Sequence, residues 1–185
     1  MDLATITMQT ANVVRGVKPD QLDAPTPCRD WDVGTLTNHL LQVVTALDLA
    51  GRGQPVPSDL WERDLPRDDG GARFEETARG AVAAWETSPE TVRIGSAEMP
   101  AGFAATMFAT DLVIHGWDLA RATGQDYRVD DDTAEMTYRF VAETAEQGRS
   151  MGIFDEPVPV AEEAPALDRA LGLSGRDPGW VPPPR

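Results

Sequence analysis

The chain has 185 residues, enough for one domain that buries a core without disulfides. Hydrophobic residues make up 41% and charged residues 25%, the balance of a soluble globular protein. The formal net charge of −15 repels phosphate backbones and anionic bilayers, which argues against nucleic-acid or membrane-surface partners.

Residues 2–17 carry Leu3, Ile6, Val13, Val14 and Val17 at helical spacing, with Thr10 filling the gap. Pro19 stops that helix, and PDQLDAPTPCRDW reads as a loop rich in Pro and Asp. Asp32 is placed to cap a second helix over about 33–50, striped by Val33, Leu36, Leu40, Val43, Val44 and Leu47. Residues 59–73 read as an exposed connection with one helical turn. A shorter helix follows, marked by Phe74, Ala78, Ala81, Val82 and Trp85.

TVRIGSAEMP alternates at Val92 and Ile94, the pattern of a brief extended piece. A long helix is predicted from about 101 to 123, ended by Gly124. The acidic DDD run suits the N-terminus of a further helix, with Tyr138, Val141 and Ala145 facing inward. From Pro157 onward lie seven of the 15 prolines, so residues 153–185 read as an extended tail wrapping the same domain, with a short helix near 166–172. Residues 1–152 then form an all-α, antiparallel four-helix bundle with short extra helices.

Cys28 is the only cysteine, which precludes an internal disulfide and suits a reducing cytoplasm. With no His or Lys near it in sequence, it reads as a small core residue rather than a reactive thiol. The N-terminus has an acid at position 2 and no basic stretch of the signal-peptide kind, and no apolar run approaches the ~18 residues of a membrane span. Trp31 and Trp117 read as packing anchors. No phosphate-binding glycine loop follows a strand.

The chemistry concentrates in DLVIHGWDLARATG. Ala104, Met107, Phe108, Asp111, His115, Leu119 and Ala122 share one helix face, so an acid and an imidazole interrupt an apolar stripe. His39, the other of the two histidines, lies on the stripe side of the second helix. A buried carboxylate is costly unless paired or metal-bound, and two imidazoles with one carboxylate are a common donor set for borderline metals. The same residues could instead be a structural Asp–His pair and a histidine satisfied by a carbonyl. Asp118, three residues after His115, is placed to accept from an imidazole N–H or to pair with Arg121.

PTPCRDWDVGTLTNHLL and DLVIHGWDLARATG resemble the metal-binding domain of mycothiol-dependent maleylpyruvate isomerases, within the DinB/YfiT-like superfamily of metal-dependent thiol transferases. FDEPVPVAEEAPALDRALGLSGRDPGW resembles the tail of its single-domain actinobacterial branch. The resemblance implies a DinB-like four-helix bundle and a metal held by His39, Asp111 and His115. It implies zinc, or alternatively nickel or iron, and a thiol transferase or thiol-dependent detoxification enzyme. Its partners would be a low-molecular-weight thiol such as mycothiol and an electrophilic substrate, with Arg121 a candidate contact for an acidic thiol cofactor. A non-catalytic metal-binding bundle, a metal-dependent hydrolase, a maleylpyruvate isomerase and a homodimer stay open. Two features depart from the isomerase: Asp111 stands where its pattern has Glu, and the chain ends without the isomerase's second domain.

Overall fold

The computed structural model describes residues 1–29, 31–65 and 71–183. The first helix, α1, spans Leu3–Arg15 and starts where Asp2 accepts the Thr5 backbone N–H. Its apolar face holds Ile6, Val13 and Val14 in the core. Thr10 satisfies its hydroxyl inside that core by donating to Ile6 O at 3.1 Å and across to Leu112 O at 3.2 Å. The second helix, α2, spans Val33–Gly51, and Asp32 caps it as expected, accepting from Thr35 N at 2.7 Å. Helix α3 covers Ala72–Trp85, and Trp85 Nε1 donates to Leu47 O on α2 at 2.8 Å.

Between α3 and α4, the predicted extended piece is a hairpin. Strand β1 (Thr91–Ile94) pairs antiparallel with β2 (Ala97–Pro100), with Ile94 opposite Ala97. Gly95 takes a positive φ of 58° in the two-residue turn. Strands of four residues are too short for alternation to separate two of them from one. The connection before α3 carries a single 3-10 turn over Ser58–Glu62, while residues 66–70 of that predicted loop lie outside the described residues.

Helix α4 spans Ala101–Thr123 and ends at Gly124, whose φ of 72° supplies the left-handed turn that stops a helix. It packs against α1 and α2, and α3 closes the ring by packing against both of those helices. The bundle is therefore α1 to α4. Helix α5 (Asp131–Ser150, capped by Asp130) and α6 (Ala166–Leu173) lie outside the ring. Ile114, Trp117, Val141, Ala145, Ala170 and Leu171 form a second apolar cluster there. That is why residues 112–120 are all buried: α4 is covered on both sides.

The tail returns to α6. Val158 N donates to Gly172 O at 2.9 Å, and a Cβ at Gly172 would lie 2.5 Å from Val160 Cγ2. Among the described residues, no helix is long and apolar enough to cross a membrane.

Candidate metal centre

The capped α2 presents His39 toward α4, where Asp111 and His115 share a face because they are four residues apart. His39 Nε2 lies 3.4 Å from Asp111 Oδ2, and His115 Nε2 lies 3.2 Å from Asp111 Oδ1. One donor atom from each of the three falls within 4.8 Å of the others. The two imidazoles meet edge to face, with centroids 4.9 Å apart.

His39 Nε2 is buried and near the carboxylate, yet it is not aligned for a hydrogen bond and has no such partner among the described residues. A buried nitrogen with an unused lone pair beside an anion fits a cation shared by all three side chains. The set is less enclosed than the stripe pattern implies. The Asp111 side chain keeps 31% of its surface exposed and His39 17%, so the cluster opens at the rim of the bundle rather than at its centre.

His115 carries a second contact that fixes its tautomer. Its Nδ1 is 2.9 Å from Asp118 Oδ2, and Asp118 is fully buried. With Asp118 as the carboxylate acceptor, Nδ1 carries the proton and Nε2 presents its lone pair toward Asp111. Burial lowers the His115 pKa against the opposing pull of Asp118 and Asp111, which favours the neutral, ligand-ready ring. Burial pushes the Asp111 carboxyl up, but the charge attraction of His39, His115 and Arg176 holds it below its usual value, a pull that a shared cation would supply when the two rings are neutral.

Aromatic residues and one amide flank the donor set. Trp31 lies tilted against both histidines, with centroids 4.6 Å from His39 and 5.3 Å from His115, so it is a wall of the site as well as a packing anchor. Trp61, from the 3-10 turn, stands 6.1 Å from the His39 ring. Gln42 clips that turn to α2, donating to Trp61 O and Arg63 O.

Cys28 is half-buried rather than fully packed, and its sulfur lies within 4.8 Å of donor atoms of His115 and Asp118. The sequence spacing hid this, because the loop before α2 folds back onto α4. Arg176 reaches in from the tail and donates from Nε and Nη2 to Asp118 Oδ2 at 3.4 and 3.3 Å. Nothing in its local sequence, SGRDPG, marks it for that role.

Arg121 is turned to the tail instead of the cluster. It donates to Trp180 O at 2.7 Å and lies over the Trp117 ring at 5.7 Å. Six residues beyond His115, it falls about 240° around the helix from the donor face.

Residues 3–120 match the family described as the mycothiol maleylpyruvate isomerase N-terminal domain. The chain belongs to that family. Uncharacterised proteins from two strains of Mycobacterium tuberculosis are 29% identical over 172 residues, covering 90% of this chain and 91% of theirs. The fold is also that of the mycothiol-dependent maleylpyruvate isomerase, solved as a histidine-to-alanine mutant. The two superpose with a TM-score of 0.57 at 17% identity, over 88% of this chain and 75% of that one. The family match takes in His39, Asp111, His115 and Asp118 and stops before Arg121 and Arg176.

Proposed function

We propose that the protein binds one divalent metal ion through His39, Asp111 and His115 and uses it to activate a low-molecular-weight thiol for transfer to an electrophilic small molecule. The observation that carries this reading is the convergence of three donor atoms from two helices within 4.8 Å, with His39 Nε2 beside the Asp111 carboxylate but without a hydrogen bond among the described residues. The mycothiol dependence of the structurally similar isomerase supports mycothiol, or a thiol like it, as the cofactor. Two imidazoles and a carboxylate suit zinc, with nickel and ferrous iron close behind. When bound, the ion supplies a Lewis acid that holds a coordinating thiol as its thiolate.

The chain's own residues set the conditions for that chemistry. Asp118 holds His115 in the tautomer that turns Nε2 to the donor set. Arg176 offsets the charge of Asp118, so Asp111 is the donor set's own formal charge. A divalent ion, Asp111 and a thiolate then sum to neutrality, which suits a partly desolvated site. Trp31 and Trp61 give the site apolar aromatic faces against which an unsaturated or halogenated substrate can lie. Cys28 does not compete as nucleophile, because burial pushes its thiol up to about 12.

Elemental analysis of untagged protein should find about one divalent ion per chain. Metal-loaded protein with mycothiol and a panel of electrophiles should then form the thioether, and halide substrates should release one halide and one proton. Turnover without added thiol would point to hydrolysis instead. Metal that raises the melting temperature without any turnover would leave only a helix-stapling role.

A further inference from the structure

We infer that Arg176 is a positioning residue of the metal centre, and that docking of the C-terminal tail and binding of the ion are coupled through it. The inference rests on the metal-binding reading above. It goes beyond that reading because Arg176 lies 58 residues from Asp118 and outside the stretch that matches the family.

Asp118 Oδ2 receives three donors: His115 Nδ1 at 2.9 Å, Arg176 Nη2 at 3.3 Å and Arg176 Nε at 3.4 Å. All three side chains are buried, with Arg176 only 5% exposed. A buried guanidinium is costly to desolvate and stays only where its partners are held in place. Here the partners come from two directions. On one side is Asp118; on the other, Arg176 Nη1 donates to Ser174 O at 2.8 Å, and its backbone N–H donates to Leu171 O at 2.8 Å at the end of α6.

Tail geometry is therefore transmitted to one carboxylate oxygen, and that oxygen orients the imidazole. The relay runs Arg176 to Asp118 to His115. Asp118 Oδ1 has no hydrogen-bond partner among the described residues, so hydrogen bonds hold the carboxylate through Oδ2. Without Arg176 the carboxylate keeps only its contact to His115, and the orientation it imposes on that ring is held less tightly. Removing the direct partner of a ligating imidazole, here Asp118, typically weakens metal affinity about 10- to 100-fold, and losing Arg176, one contact further out, should cost a part of that. By linkage, whatever the tail contributes to metal affinity the metal returns as tail docking.

Three readouts on the full-length chain test this. The dissociation constant for Zn(II) is measured by competition with a chelating dye, the visible spectrum is recorded with Co(II), and amide exchange is followed across residues 171–176 with and without Zn(II). In the wild type, Zn(II) should slow exchange at 171–176. Arg176→Met should raise the dissociation constant severalfold, up to about tenfold, alter the Co(II) spectrum and abolish the exchange response. Arg176→Lys should recover part of the affinity.

An unchanged dissociation constant and Co(II) spectrum in Arg176→Met, even with a lower melting temperature, would reduce Arg176 to a tail anchor and overturn the inference alone. Should Arg176→Met not fold, exchange in the wild type still decides: no slowing by bound Zn(II) overturns the coupling. A wild type that binds neither Zn(II) nor Co(II) sinks the metal reading itself, and this inference with it.

Discussion

The two oxygens of Asp111 each face a different imidazole, one 3.4 Å from His39 and one 3.2 Å from His115. Removing either ring leaves one imidazole and the carboxylate, one fewer than the three protein ligands of an open zinc site. His39→Ala and His115→Ala should each cut bound metal from about one ion per chain to near zero, read by elemental analysis after dialysis. His115 was the more legible of the pair, since its spacing from Asp111 sits within one helix. Cys28 was not legible, because its neighbours are spatial. Its thiol, raised by burial from an ordinary value near 9 to about 12, is favoured in the protonated state when folded. The stabilisation this provides is complete below pH 9 and declines as pH rises through the folded value. Alkylation of native protein by iodoacetamide at pH 8 should be at least about tenfold slower than in urea, given how little thiolate the folded state holds. Equal rates would mean the thiol is exposed.

At the scale of elements, helix α2 and the end of α4 matched their local signals: the Asp32 cap and the Gly124 stop act within a few residues of chain. The role of α5 was harder to read. Its periodicity shows an amphipathic helix, but not that its apolar face packs outside the ring, on the far side of α4. Helix α6 is held by close backbone contact rather than by bulk. Val158 O would be 2.8 Å from any Cβ at Gly172, and Val160 Cγ2 2.5 Å. Gly172→Ala should therefore destabilise the protein by about 1–3 kcal/mol through overpacking, measured by urea unfolding. Since α6 carries the backbone that seats Arg176, the same variant should also weaken Zn(II) binding. A stable Gly172→Ala variant with wild-type affinity would show that α6 docks loosely.

For the whole molecule, bound metal cross-links α2 to α4 and should act as a stabilising ligand. At free Zn(II) 100 times its dissociation constant the gain is about 2.7 kcal/mol, so the melting temperature should rise with Zn(II) and fall back on chelation. An unresponsive melting temperature would count against any shared ion. Residues 153–183 cover the second apolar cluster, with Ala170 and Leu171 against Ile114, Trp117, Val141 and Ala145. Ending the chain after Gly152 uncovers that surface and removes Arg176 together. Such a truncation should aggregate or melt well below the full chain, which treats 1–152 and 153–185 as a single folding unit. A soluble 1–152 fragment with an unchanged melting temperature would make the tail a separate appendage.

Taken alone, the amino-acid order determined what depends on near neighbours. Helical periodicity, capping and the four-residue spacing of Asp111 and His115 are set by backbone geometry that repeats every few residues. Only the tertiary structure decided what depends on partners far apart along the chain. The approach of His39 to the α4 pair, the fold-back of the Cys28 loop and the reach of Arg176 to Asp118 all follow from how helices pack and from where a proline-rich tail finds its apolar cover. Packing selects among many placements that local periodicity leaves equally allowed, so those contacts carry no signature in the residues beside them.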